Sequence, residues 1–254
     1  MMKPQIELLL GDCLELMQNI QDKSIDCIIC DLPYGIGKNK WDTIIPFKDL
    51  WGCYERIIKD DGAIILFGQD KFTAECMLSN RKMHRYNLIW RKVLPSGFLN
   101  ANRMPLREHE DIMVFYKKVP TYNPQKTVGK PCHRKGKAVG KTADENLNNN
   151  NYGNYKVVET DGNMKFPTSI LEFSKPHPSV SVHPTQKPVA LLEYLVETYT
   201  NEGDTVLDNC MGSGSTGVAC VNTGRHFIGF ELDKGYFDMA KQLIMKQLAE
   251  RWYI

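Results

Sequence analysis

Between Thr205 and Glu231 the chain reads as strand, acid, glycine turn, helix and strand, and that order leaves few folds open. Thr205-Val206-Leu207-Asp208 is a short apolar run closed by an acid. Gly212-Ser213-Gly214-Ser215-Thr216-Gly217 fits G-x-G-x-x-G and opens a helix carrying Val218, Ala219 and Val221. Phe227 to Glu231 is the next strand, again ending in an acid. Two strands joined through a helix run parallel, and parallel sheets are covered on both faces. The segment therefore predicts an α/β architecture with its ligand at the carboxyl ends of the strands. Taken alone it also fits a dinucleotide site with Glu231 on a ribose diol, so an NAD oxidoreductase is a rival. Two features weigh against that rival. Asp208, just before the turn, suits a cationic or amine-bearing ligand better than a pyrophosphate. A dinucleotide domain would also need further strands after this one.

A second stretch has the same logic. Ile25 to Ile29 is a buried strand, followed by Cys30-Asp31-Leu32-Pro33-Tyr34-Gly35. Pro33 fixes its φ and lacks an N–H, and it pushes Leu32 towards extended geometry. A carboxylate and an aromatic face are thereby held together at a strand's carboxyl end. A planar ring bearing an amine suits such a pair, with Tyr34 stacking and Asp31 accepting from the NH₂. A strand-to-loop turn with a solvated Asp is the plainer alternative.

The 254 residues allow one large α/β domain, with or without an insertion. Before Asp31, Ile6 to Leu10 is a strand and Leu14, Leu16, Met17 and Ile20 have helical spacing. After it come a loop from Gly35 to Ile45, a helix from Phe47 to Ile58, a turn at Asp60-Asp61-Gly62 and a strand from Ala63 to Phe67. Phe72 to Leu78 reads as a helix; Tyr86 to Trp90 and Asp111 to Tyr116 read as strands. Alternation fails from Val119 to Val182, a proline-containing stretch whose asparagine-rich run from 146 to 151 has a disordered composition. Regular patterning resumes with a helix from Pro188 to Tyr199 and ends with one from Lys234 to Leu248. The expected organisation is a domain of 1–118 with 183–254 and a loop-rich insertion of 119–182.

Net charge is only +2, so global charge does not announce a polyanion. Its distribution does: Arg81 to Arg107 holds seven Lys/Arg, Lys117 to Lys141 holds eight, and neither contains an acid. A solvated basic face is the competing explanation. Most of the eight cysteines sit in apolar segments and read as buried reduced thiols, with no metal site expected. No apolar run approaches the about 20 residues of a membrane helix, and the N-terminus lacks a secretory apolar segment, so a cytoplasmic protein is expected.

Together these motifs resemble a known family. Asp208-Asn209-Cys210-Met211-Gly212-Ser213-Gly214-Ser215-Thr216 is similar to the S-adenosylmethionine motif of DNA amino-methyltransferases. Asp31-Leu32-Pro33-Tyr34 resembles their (D/N/S)-P-P-(Y/F/W) catalytic motif, and His183-Pro184-Thr185-Gln186-Lys187-Pro188 resembles a third. The order, catalytic motif, insertion, cofactor motif, is that of the β class. Leu32 departs from the family's first proline, and Asn209-Cys210 from its frequent Pro-Phe.

The resemblance implies a circularly permuted, Rossmann-like methyltransferase fold: a mostly parallel twisted sheet with helices on both faces. It implies S-adenosylmethionine as cofactor and double-stranded DNA as partner, with a homodimer and a cognate restriction endonuclease as further candidates. Asp31, Leu32, Pro33 and Tyr34 would be catalytic, with the Leu32 carbonyl a second acceptor for the amine. Asp208, Lys187 and Thr185 would hold the methionine end, with His183, Ser213, Thr216 and Asp31 nearby. Glu231 would bind the ribose and Asp12 meet the cofactor's adenine, while Gly212 and Gly214 would let the backbone approach closely. Lys92, Arg103, Lys126, Lys130, Arg134 and Lys135 would contact DNA. An Asp-initial motif favours adenine N6 over cytosine N4. An RNA or protein substrate, or a catalytically silent DNA-binding module, are the remaining alternatives.

Overall fold

The computed structural model describes residues 3–35, 42–130, 163–174 and 186–252. The chain divides into a large unit, Met1–Asn123 with Ser169–Ile254, and a small one, Pro124–Thr168. His183, Thr185, Arg134, Lys135 and the asparagine-rich run lie outside the described residues.

Ten strands are described, numbered along the chain: β1 Ile6–Leu10, β2 Ile25–Cys30, β3 Ile58–Gly68, β4 His84–Ser96, β5 Arg107–Phe115, β6 Thr127–Val128, β7 Met164–Lys165, β8 Ile170–Phe173, β9 Thr205–Asp208 and β10 His226–Glu231. The helices are α1 Cys13–Met17, α2 Phe47–Ile57, α3 Asp70–Ser79, α4 Val189–Tyr199, α5 Ser215–Thr223 and α6 Lys234–Trp252. In the small unit β6 and β7 form an antiparallel ribbon, with Thr127 opposite Lys165 and Val128 opposite Met164.

The large unit is built on one eight-stranded sheet of order β1-β10-β9-β2-β3-β5-β4-β8. The five strands from β1 to β3 are mutually parallel, β5 is antiparallel to β3 and β4, and β8 is parallel to β4. This is the α/β, mostly parallel sheet that the resemblance implied.

The central strands are apolar because both of their faces are covered. Successive side chains point to opposite faces. Cys27, Ile29, Ala63, Ile65 and Phe67 pack with Leu191, Leu195, Val218 and Ile244 from α4, α5 and α6. Ile28, Cys30, Ile64 and Leu66 pack with Met17, Leu50, Tyr54 and Phe72 from α1, α2 and α3. All seven cysteines among the described residues are free, and six are buried. Burial pushes the thiols of Cys30 and Cys76 up to about 12, so neither is ionised near neutrality.

Two segments differ from the sequence reading. Asp60-Asp61-Gly62 is not a turn; β3 runs through it. Pairing with β2 slips there, from Ile25 opposite Ile58 to Cys27 opposite Ala63. A Cβ on Gly62 would stand 2.7 Å from Ile58 Cδ1 and 2.8 Å from the Asp26 carbonyl, so the glycine serves a bulged strand. Ile170–Phe173, inside the stretch expected as insertion, is an edge strand of the main sheet, with Leu171 opposite Trp90. Four residues are too few to show a period, and the large unit resumes at Ser169 rather than at 183.

The Tyr54 hydroxyl, from α2, donates to Asn209 Oδ1 just beyond β9 at 2.5 Å, in a buried setting. Tyr54→Phe leaves that oxygen without its donor and should cost about 1–3 kcal/mol. Urea unfolding should show a lower midpoint at an unchanged slope.

Candidate active site

Four neighbouring parallel strands deliver four acids to one edge of the sheet. Leu10 pairs with Glu231, Gly229 with Asp208, and Ile28 with Leu207. The strands β1, β10, β9 and β2 therefore finish together, at Asp12, Glu231, Asp208 and Asp31. Crevices outside the carboxyl ends of such strands are where open α/β sheets hold ligands. Here a cavity of about 600 Å³ opens, lined by all four acids together with Gly212 and Tyr34.

Backbone amides and hydroxyls orient the three acids on the β9 side. Asp12 Oδ1 accepts from the Leu14 amide at 2.8 Å and caps α1. Glu231 Oε2 accepts from the Gly212 amide at 2.9 Å and its Oε1 from the Asp233 amide at 2.8 Å. Burial still raises the Glu231 carboxyl above its ordinary value. Asp208 Oδ2 accepts from Thr216 Oγ1 at 2.7 Å and Oδ1 from the Cys210 amide at 3.1 Å. Burial outweighs these bonds and pushes the Asp208 carboxyl up to about 7. Ser213 and Ser215 also line the cavity, their hydroxyls 3.4 Å apart.

The two glycines of the turn do different things. Gly212 sits at φ +51°, and a Cβ there would meet no heavy atom within 4 Å. It borders the cavity, so a ligand can approach its backbone. Gly214, at φ +82°, would place a Cβ 2.9 Å from that of Ala240. Its bare face is turned to α6, which corrects its expected place against the cofactor: Gly214 admits a helix.

On the β2 side, Asp31 Oδ1 accepts from the Tyr34 hydroxyl at 2.6 Å, and Oδ2 accepts a short hydrogen bond from Lys187 Nζ. The Tyr34 ring rests on Phe72, centroids 4.7 Å apart. Leu32, where the family has proline, buries its side chain in the core, and Pro33 lines the cavity. Lys187 stands 3.3 Å from Glu110 Oε2, and Glu110 Oε1 pairs with Lys92 at 2.5 Å. An alternating row results: Lys92, Glu110, Lys187, Asp31. Burial alone would raise the Glu110 carboxyl, but the ammoniums of Lys187 and Lys92 hold it below its ordinary value. Burial alone would lower Lys187, but Asp31 and Glu110 keep it raised.

Lys92 is thus not a DNA contact. Only 2 % exposed, it is spent on Glu110. The parity of β4 explains the correction: Trp90 and Lys92 share the inward face, and Arg91 and Val93 point out. Trp90, also a cavity wall, donates from Nε1 to the Phe173 carbonyl at 2.9 Å. Arg103 is exposed between β4 and β5. Within the small unit Lys126 Nζ lies 4.7 Å from the Phe166 ring centroid, and Lys130 is exposed. Sequence reasoning missed Glu110. Its signal was an acid on β5 directly opposite Trp90, visible only with the strand pairing known.

The family model for N6/N4 DNA methylases matches residues 25–242, and the chain belongs to that family. It is 28% identical over 251 residues to the type II methyltransferase M.HpaI of Haemophilus parainfluenzae, covering 92% of this chain and 73% of that one. It is 28% identical over 265 residues to M.BglII of Bacillus subtilis, covering 92% and 67%. Among solved structures, the M1.HpyAVI–SAM complex superposes with a TM-score of 0.61 at 26% identity, over 94% of this chain and all of that one. The cytosine-N4-specific PvuII DNA methyltransferase superposes at 0.67 with 15% identity, over 98% and 93%, a likeness of fold. The chain is a site-specific DNA methyltransferase, and its cofactor is S-adenosylmethionine. The cavity fits that cofactor: carboxylates can meet hydroxyls and cationic groups, and Gly212 leaves open space beside them. No helix among the described residues is long and apolar enough to cross a membrane.

Three outcomes follow from this geometry. Asp208 titrates higher when folded than when unfolded, so the folded state holds its proton more tightly. Its contribution to stability falls as pH rises from about 4 to about 7 and is flat above. The stability difference between wild type and Asp208→Asn, from urea unfolding at pH 5 and pH 8, should therefore shift in the variant's favour at pH 8. Gly212→Ala should cost about 1 kcal/mol of backbone strain and weaken S-adenosylmethionine binding. Gly214→Ala should cost about 2 kcal/mol or more, from strain and overpacking against α6, with cofactor affinity largely kept in calorimetry.

Proposed function

We propose that the chain transfers a methyl group from S-adenosylmethionine to the exocyclic N6 of an adenine flipped out of double-stranded DNA. The observation that carries this reading is the position of Asp31. It opens the Asp-Leu-Pro-Tyr motif and faces the same cavity as Asp208, Gly212 and Glu231. Adenine rests on the Asp-initial form of that motif; cytosine N4 is the alternative, because the family covers both amines.

Bound in this cavity, the cofactor supplies an electrophilic sulfonium methyl. Glu231 accepts from its ribose hydroxyls, and Asp12 meets its adenine. Asp208, with a remaining donor of Lys187, holds the methionine end, and the resemblance adds Thr185, which lies outside the described residues. Asp31 and the Leu32 carbonyl accept the two N–H bonds of the target amine. They hold its lone pair towards the methyl, and their negative charge faces the positive charge that develops on nitrogen. No strong base is needed, because the amine becomes acidic only once methylated, and its proton then passes to the Asp31 carboxylate and on to water. Positioning of this kind can be worth about 7–11 kcal/mol. Tyr34, braced by Phe72, offers its other face to the flipped base and offsets part of the few kcal/mol that flipping costs.

Arg103, Lys126 and Lys130, with Arg134 and Lys135 outside the described residues, contact phosphates. Target recognition falls to the stretch expected as 119–182, with the small unit Pro124–Thr168 at its centre. The type II relatives fit a restriction–modification role beside a cognate endonuclease.

The test is methyl incorporation into unmethylated genomic DNA, with mass analysis of the digested nucleosides. N6-methyladenine is expected; N4-methylcytosine would keep the mechanism and change the base. Asp31→Ala should lose turnover while binding S-adenosylmethionine normally. Retained methylation in that variant would sink the role of Asp31.

A further inference from the structure

Glu110 has no part in the roles given so far, yet it is built into the wall of the cavity. It is 9 % exposed. Its Oε1 is taken by Lys92, but its Oε2 is buried and accepts no hydrogen bond. Buried carboxylate oxygens without a donor are costly and rare. The ammonium of Lys187 stands 3.3 Å away, an ion-pair distance without hydrogen-bond alignment. Lys187 has given its aligned bond to Asp31 instead.

This arrangement sits awkwardly with methyl transfer if it persists. Asp31 has Tyr34 on one oxygen and Lys187 on the other, so a target amine would have to share its acceptor oxygen with one of them. An ammonium clamped on Asp31 also neutralises the charge that should face the nitrogen as it turns positive. Glu110 Oε2 supplies the alternative. From its present distance, Lys187 Nζ need move only about 0.5 Å to reach the length of a charge-assisted bond. A four-carbon stem makes such a move easy, and Lys92 keeps Glu110 anionic and in place throughout.

We infer that Glu110 is a positioning residue that takes Lys187 over from Asp31 when the target amine arrives, leaving Asp31 free to accept the amine's N–H. This rests on the proposed role of Asp31 and adds a second acceptor for its lysine. The cofactor and the DNA touch neither Glu110 oxygen in this scheme, and Lys187 keeps a further donor for the methionine end in either position, so the residue acts on the rate of transfer and not on binding.

The experiment compares wild type, Glu110→Gln and Lys92→Met/Glu110→Gln. The double variant removes the buried pair as a unit, so Lys92 is not left uncompensated if the single variant folds poorly. Each is assayed for methyl incorporation with both substrates varied, and for S-adenosylmethionine binding by calorimetry. The expected result is a fall in kcat of about tenfold or more, short of the loss on removing a group that touches the reacting atoms. KM for DNA and Kd for the cofactor should stay within about twofold in both variants. A kcat near wild type in either folded variant overturns the inference. So does a loss that falls wholly on KM or cofactor affinity, which a merely structural or binding role would give. Asp31→Ala separates this failure from the wider one. If that variant is inactive while Glu110→Gln is active, only the exchange is wrong. If Asp31→Ala itself methylates, the reading of the centre fails with it.

Discussion

Pairing between β2 and β9, at Cys27 with Val206 and Ile28 with Leu207, joins the two functional halves of the chain. One half carries Asp31 and Tyr34, and the other carries Asp208, the glycine turn and Glu231. A parallel register lets both strands finish at one edge, so the Asp31 carboxylate and the glycine turn after Asp208 share a cavity without contact in sequence. Moving either strand by one residue would exchange its two faces, sending Ile28 and Cys30 towards α4 and α5 and turning Asp31 away. The two hydrophobic clusters on either side of the sheet hold that register.

The second constraint is electrostatic. Lys92, Glu110 and Lys187 are nearly inaccessible to water, and charges there are tolerable only when paired. Their alternation with Asp31 makes the row neutral and fixes which oxygen each ammonium meets. Buried pairs repay their desolvation poorly, so apolar side chains of the same volume need not leave the protein less stable. The row's place at Asp31, in the wall of the cavity, fits a role in chemistry. Asp208 makes the same point from the other wall: burial pushes it up to about 7, while two donors hold the carboxylate in one orientation.

Much of the fold was legible because its signals are local. The strand–turn–helix unit from Thr205 onward shows itself through apolar runs, acids at strand ends and glycines, and β2 through its apolar run and Pro33. Segments that misled were those where tertiary contacts outweigh local chemistry. Asp60-Asp61-Gly62 has a turn's composition but lies in a strand, because β2 beside it leaves room for a bulge. Ile170–Phe173 is a strand only because β4 offers it an open edge.

The candidate site divides in the same way. The sequence by itself determined which chemical groups are present and which ends of strands carry them: Asp31 with Tyr34, Asp208 with the glycine turn, Glu231 and Asp12. Only the tertiary structure decided what each group faces. Lys92 and Arg103 look alike in a basic run, yet strand parity buries the first on Glu110 and leaves the second exposed. Gly212 and Gly214 look alike in a motif, yet one borders the cavity and the other admits α6. Lys187 meets Asp31 across 156 residues of chain. Such partners follow from strand order and register, which no local pattern encodes, because they are set by how whole faces pack and not by any one residue's preference.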